Sequence, residues 1–464
     1  MRSRWMLWAA GLGFLLLAGA ATAVFLTNRR EVTTSSSAAY KLYKEAVEND
    51  NRFYFKEARV GYAKALQLDP HFAMAILGLA RQSGDMEQAS ALIRRAAREE
   101  PRLTERERLR IDLELAYVDR HPEQALKIAQ RLHEKFPDDP RSVSVLCHEL
   151  IQNGHAEEAV KIYEDLLAID PNNAEAYNQI GYNYGWRGDY DKAMEYLKKY
   201  QFIAPDTANP FDSLGENQAY AGHYTEAIEN LNRALAIKPD FSPAYEHLGV
   251  VYEGMGDGAK AIESYRKAIE LAESDGLRGK YLTEGLRAAF RARDMAAVAE
   301  FRGWFAKLPK SPYTDLRAAL IDAFVSLVSG QAAQADARVT ELLPKVEAKW
   351  VEIEGKSAHE KFHRPEFNWV LAKAKEAQGK TDDAARLYGI NANPPNAFSD
   401  FEGRRWVIES RASLAVILAK KGNLDAAEKL IAENRKWNPS WAPTREAETT
   451  VAELRRAKVL AAAR

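Results

Sequence analysis

The chain has 464 residues, 28% of them charged and 46% hydrophobic, a balance that can bury a large core and excludes global disorder. Its 65 Lys and Arg nearly cancel its 66 Asp and Glu, so the basic surplus of a protein whose main partner is nucleic acid is missing. The single cysteine, Cys147, excludes an internal disulfide and any cysteine-built zinc or iron–sulfur centre within one chain.

The first predicted element is Trp5–Leu26, a run without charge or proline. At about 1.5 Å rise per residue a helix of that length covers ~33 Å, enough to cross a bilayer core. Two readings stand: an uncleaved membrane anchor within residues 1–30, or a signal peptide cut at Ala21-Thr22-Ala23. The apolar run continues through Val24, Phe25 and Leu26, which favours the anchor. Arg2 and Arg4 on one side balance Arg29 and Arg30 on the other, so flanking charge hardly sets the orientation. A short tail ahead of a large body places that body outside the cytoplasm, in a periplasm or its equivalent. Residues 31–38, with Thr33-Thr34-Ser35-Ser36-Ser37, read as a polar linker.

From Ala39 onward the pattern is helical, with a period of 34 residues. Pro137, Pro171, Pro205 and Pro239 keep that spacing, as do Ala159, Ala193, Ala227 and Ala261. So do Gly154, Gly188, Gly222 and Gly256, the small residues Cys147, Gly181, Gly215 and Gly249, and the series Val143, Tyr177, Phe211 and Tyr245. Each register has a physical use. Small residues let two helices approach, the glycine permits a tight turn, and the proline ends one hairpin and fixes the entry to the next. A single hairpin leaves an apolar face uncovered, so stacking is obligatory.

These residues resemble the tetratricopeptide repeat. AEAYNQIGYNYGWRGDYDKAMEYLKKYQFIAP at 174–205 carries the likeness most fully, with 140–171, 208–239, 242–272 and 39–70 close behind, 73–101 shortened in its first helix and 102–137 recognisable. The resemblance implies an all-α fold, an α-α superhelix of right-handed stacked hairpins without a sheet, preceded by one transmembrane helix. It predicts a regular array over 39–272, divergent hairpins over 273–443, and a capping helix over 444–464, about eleven hairpins in all. LTERERLRIDLELAY at 103–117 is similar, more loosely, to repeat regions attached to bacterial serine/threonine kinases and membrane regulators, whose effector domains are missing here.

In this family the side of the first helix opposite the packing positions lines a concave groove. Here that side holds Asn178, Tyr182 and Trp186, then Asp212, Glu216 and Tyr220, then Glu246, His247 and Glu253. The set is acidic and aromatic, with no Lys or Arg. It lacks the basic residues of the family's carboxylate-gripping members and suits a partner segment with Lys, Arg or apolar side chains. Six of nine tryptophans (Trp304, Trp350, Trp369, Trp406, Trp437, Trp441) fall in the divergent part, as a specialised surface or as core.

One string resembles catalytic chemistry: His359-Glu360-Lys361-Phe362-His363 has the H-E-x-x-H spacing that sets two zinc ligands one helical turn apart with a glutamate to activate water. Arg364-Pro365 follows at once and the flanks are charged, so a loop is the expectation and no metal or other cofactor is predicted. The glycines at 254, 256 and 258 fall on the repeat's own bend and lack phosphate-loop spacing. The expected function is a non-enzymatic, membrane-tethered scaffold that binds a protein or peptide partner and no nucleic acid. The alternatives are a zinc metallopeptidase built on His359, Glu360 and His363, and a sensor subunit of a separately encoded transducer.

Overall fold

The computed structural model describes residues 32–83, 86–137, 139–309, 312–354, 365–393 and 401–462. The Trp5–Leu26 segment and the His359–His363 string lie outside them. Among the described residues there are 23 α-helices and no strand, and no helix is long and apolar enough to cross a membrane. The helices follow one another as antiparallel pairs. The first three pairs are α1 (Ser37–Asn51) with α2 (Phe55–Leu68), α3 (Ala73–Arg81) with α4 (Met86–Ala97), and α5 (Glu105–Val118) with α6 (Pro122–Lys135). The most regular four are α7 (Pro140–Gln152) with α8 (Ala156–Ile169), α9 (Ala174–Trp186) with α10 (Tyr190–Ile203), α11 (Ala208–Ala221) with α12 (Tyr224–Ile237), and α13 (Ser242–Met255) with α14 (Gly258–Leu271). Then come α15 (Asp275–Ala292) with α16 (Met295–Phe305), α17 (Pro312–Val328) with α18 (Ala332–Glu354), α19 (Pro365–Ala377) with α20 (Thr381–Ala392), and α21 (Phe401–Lys420) with α22 (Leu424–Trp437). A last helix, α23 (Ala442–Ala462), has no partner of its own.

The bends follow from backbone chemistry. Gly154, Gly188, Gly222 and Gly256 all sit at φ between 83° and 87°, a left-handed conformation that strains any residue carrying a Cβ. Gly330, Gly379 and Gly422 do the same in the divergent half, at φ 76°, 73° and 86°. Side-chain caps start the helices: Asn173 on α9, Asp189 on α10, Asp257 on α14 and, at α5, a capping box in which Thr104 and Glu107 satisfy each other's backbone. The small-residue register does what spacing required. A Cβ on Gly181 would stand 2.6 Å from Leu197 Cγ, and one on Gly249 2.7 Å from the Tyr265 ring. Cys147 fills the same slot fully buried, and burial pushes its thiol up to about 12, which keeps it protonated and inert.

Neighbour-to-neighbour stacking is only part of the packing. The start of the chain meets residues more than a hundred positions later. Ala208 N–H donates to the Tyr54 hydroxyl (3.2 Å), the Tyr54 ring meets Phe241 edge-on at 6.3 Å, and Lys238 pairs with Glu57 at 2.8 Å. Lys56 N–H and the Arg59 guanidinium reach the Glu273 carboxylate and carbonyl, both at 2.8 Å. These contacts fasten the first hairpin to the sixth, seventh and eighth. Thr33, Thr34 and Ser35, read as linker, are tied to the repeats: Thr33 N–H donates to Glu107, and the Thr34 hydroxyl to Asp69.

Candidate functional site

The nine residues expected on the concave face come from α9, α11 and α13, the first helices of three successive hairpins. The structure gathers seven of them into two largely buried clusters and packs Tyr220 against Phe401. In the first, His247 lies among three carboxylates: Asp212 Oδ1 at 2.8 Å from Nδ1, and Glu216 and Glu246 each at 3.4 Å from Nε2. Burial disfavours the charged ring, but Asp212, Glu216 and Glu246 outweigh it and hold the imidazole protonated, up to about 10. Tyr182 donates to Glu216 at 2.6 Å, and Lys280 of α15 bonds Glu246 at 3.2 Å. Trp186 packs on the Tyr182 ring at 5.6 Å.

The second cluster surrounds Glu253. Arg287 of α15 reaches it at 2.5 Å and also contacts Glu284 at 2.9 Å and Glu409 at 3.1 Å. Arg405 of α21 pairs with Glu284 at 2.5 Å and approaches Glu253 at 3.5 Å. Burial would lift the Glu284 carboxyl, yet Arg405 and Arg287 draw it down to about 2. All five side chains are nearly inaccessible to water.

The acidic and aromatic groove without Lys or Arg expected from the sequence differs in two respects. The acids are neutralised from outside the set, by Lys280, Arg287 and Arg405. The face is also covered: Phe401 stacks on Tyr220 at 4.1 Å with ring planes 11° apart, and Arg404 donates to the Gly185 carbonyl (2.9 Å) and the Tyr190 hydroxyl (3.2 Å). Trp437, under the Arg404 guanidinium at 3.8 Å, closes over Gly188, and Asn438 donates to the Ala219 carbonyl. Trp369, Trp406 and Trp441 are buried, so these tryptophans of the divergent part serve as core.

Two of the missed cations carried a sequence signal. Lys280 stands 34 residues after Glu246 and Arg287 34 after Glu253, one repeat on, as Glu216 stands 34 after Tyr182. The period thus runs into α15 and names facing pairs. Arg405 carried none, being 121 residues from Glu284.

Asn178, the ninth residue, faces elsewhere. With Tyr40, Tyr43, Lys44, Arg110 and Arg141 it lines an open cavity of about 1100 Å³ bordered by α1, α5, α7 and α9 inside the fastened first turn. The Asn178 carboxamide oxygen is buried behind the cavity wall without a hydrogen-bond partner, and the Arg141 guanidinium has one bond, at 3.5 Å to the Tyr43 hydroxyl. Among the described residues no group of three or more His, Cys, Asp or Glu is arranged to hold a metal ion.

Family models for the tetratricopeptide repeat match residues 119–180, 150–214 and 242–275, and a TPR repeat model matches 219–256. No curated protein matches the chain significantly. Among solved structures it is similar to TTC0263, a thermophilic TPR protein of Thermus thermophilus, at 25% identity over 38% of this chain and 97% of that one, with a TM-score of 0.34. It is also similar to the type IV pilus biogenesis factor PilW (21% identity, 44% and 93% coverage, TM-score 0.36) and to the APC/C hetero-tetramer Cut9-Hcn1 (14%, 89% and 76%, 0.48). Over residues 119–214 and 219–275 the chain is built of tetratricopeptide repeats, a scaffold architecture consistent with protein interaction.

Proposed function

We propose that this protein is a non-enzymatic scaffold that holds a protein or peptide partner against its inner helices. We further propose that residues 5–26 tether it to a membrane, with the body on the periplasmic or equivalent side of a bacterial envelope. The observation that carries the partner reading is the first-turn cavity. It is wide enough for a peptide segment, and its walls mix aromatic rings with charges of both signs. Arg141, which lines it with one long side-chain bond to Tyr43, is the group best placed to take a ligand. Near-equal charge of the two signs continues to argue against nucleic acid.

The test is site-specific photo-crosslinking in the full-length chain. A crosslinker at Lys44, in the cavity wall, captures the partner; one at Lys161, exposed on α8, does not. Capture from Lys161 alone refutes the inner-face reading. For the tether, deletion of residues 1–30 moves the protein from the membrane pellet to the supernatant with its helicity intact. A full-length chain that fractionates in the supernatant with its N-terminus intact refutes it.

A further inference from the structure

We propose that the linker edge of the first three hairpins is a membrane-docking surface. It lies against the anionic headgroups of the bilayer that residues 5–26 enter, with Arg98, Arg102 and Arg108 toward the lipid phosphates. The body is thereby held in one orientation instead of swinging on a leash. This rests on the tether reading above and adds to it a surface and the lipid chemistry it takes.

The first observation is how the chain enters the body. Thr33 donates to Glu107 from its backbone N–H (2.6 Å) and from its hydroxyl (2.8 Å). The Thr34 hydroxyl (2.6 Å) and the Ser35 N–H (2.8 Å) donate to Asp69. Both carboxylates are buried, and Val32 belongs to the core of the first two hairpins. The chain is therefore fixed from Val32 onward, and only five residues separate Val32 from Leu26. Fully extended, at ~3.5 Å per residue, that leash reaches about 20 Å. The headgroup layer takes up roughly 5–8 Å of it. A tether this short keeps the entry point close to the lipid surface.

The second observation is which edge this is. Successive turns of the superhelix stack end on, the bends of one against the linkers of the next. The start of α2, after the first bend, meets Lys238 and Glu273, and the bends at Gly188 and Gly222 meet Trp437 and Asn438. The entry point lies on the opposite edge, beside the linkers at 69–72 and 98–104. Among the described residues no hydrogen bond from a later turn reaches those linkers.

The third observation is charge. Around the entry point the acids are taken up within the protein. Asp69 and Glu107 hold the incoming chain, Glu99 holds His71 at 2.9 Å, and Glu105 holds Arg131 at 3.3 Å together with Lys135. Arg98, Arg102 and Arg108 are exposed and make no ion pair among the described residues. Leu68, ahead of the first linker, is 50% exposed. Arginines without an internal partner, on an edge tied close to a bilayer, match lipid phosphates, and their attraction to an anionic surface acts over about a Debye length.

The experiment uses the full-length protein in vesicles of phosphatidylcholine and phosphatidylglycerol that carry a headgroup nitroxide lipid. A fluorophore is placed through Gln124→Cys or Glu134→Cys, both exposed and at the two ends of α6, ~15 Å apart. Cys147 is buried and protonated and stays unlabelled. The Glu134 site, on the docking edge, is quenched about threefold more strongly than the Gln124 site. That excess disappears in vesicles of phosphatidylcholine alone, and in the variant Arg98→Glu/Arg102→Glu, while the protein still floats with the vesicles. Equal quenching of the two sites in floating protein overturns the docking surface and leaves the tether standing. An excess that survives both removals of charge overturns the assignment to anionic lipid. A full-length chain that does not float overturns the tether and this surface with it. Should the charge variant lose helicity, the phosphatidylcholine measurement decides on the unaltered arginines.

Discussion

Changing His247 to glutamine tests whether the acidic face is held together by one buried proton. In the folded chain the ring touches Asp212, Glu216 and Glu246 and keeps its proton up to about 10, against 6.5 for a free imidazole. Below 6.5 folded and unfolded chains both carry the proton, and the stabilisation is complete. Above it the unfolded chain releases the proton while the folded one retains it. Stability therefore falls by about 1.4 kcal/mol per pH unit until the folded value is passed. Across that window the ceiling is about 5 kcal/mol. The glutamine variant keeps the hydrogen-bonding shape without the charge, leaves Lys280 as the cation on Glu246, and costs ~3–5 kcal/mol at neutral pH, as for one partner removed from a buried pair. Urea midpoints by far-UV circular dichroism, taken from neutral pH to pH 10, read both effects. Wild type shows the descending slope and the variant, lower at neutral pH, is flat. Equal slopes in the two proteins refute the assignment of the proton to His247.

Gly154→Ala meets nothing within 4 Å and costs only the left-handed backbone, about 1–2 kcal/mol, whereas Gly222→Ala also drives a Cβ to 2.7 Å from Asn438 Oδ1 and costs more. Equal unfolding midpoints for the two would show that Asn438 does not seat there. Lys238→Ala removes the pairs with Glu57 and Asp240 at 2.8 and 2.9 Å and leaves Glu57 uncompensated, a loss of about 1–3 kcal/mol. Amide exchange should quicken in α2 and not in α9, and an unchanged α2 would mean that the first turn is not fastened by this lysine. Glu360→Gln should leave zinc content and helicity as they are; stoichiometric zinc lost on His363→Ala would establish the metallopeptidase alternative.

The period of 34 made the hairpins legible because it is written in backbone requirements. Glycine at φ near 85° and a small residue under Leu197 or the Tyr265 ring admit few replacements, so they recur visibly. Where the requirement is softer, the mark fades. Phe53 sits in the register of the bend glycines and still adopts φ 62°, and Arg120 does the same, so the first and third hairpins turn without their glycine. Facing pairs such as Glu246 with Lys280 were also within reach of the period. The covering of the groove was not. It depends on how far the superhelix rotates per hairpin, a sum of small interhelical angles that no single residue encodes. Arg405 carries no local sign that it will meet Glu284.

That covering alters the physics of the whole array. A solenoid whose repeats touch only their neighbours behaves as a one-dimensional stack: it frays from its ends, and each hairpin adds its own stability and one interface. Here both ends are engaged. The first hairpin is held by Lys238 and Glu273, and the last by Glu253, Glu284 and Gly185. An end hairpin cannot fray without breaking contacts made hundreds of residues away, so the array couples its ends to its middle. Contacts of the first hairpin combine the Tyr54 ring on Phe241 and the Ala208 bond with charged pairs that leave Glu57 Oε2 and Arg59 Nε buried without a partner, and they close the first turn beside the cavity lined by Asn178. Contacts of the last hairpin likewise bury charges and leave polar atoms without partners, and they cover the inner face of α9, α11 and α13. Both closures bury charged groups with unpartnered atoms, so each fixes the geometry of the array more than it adds net stability.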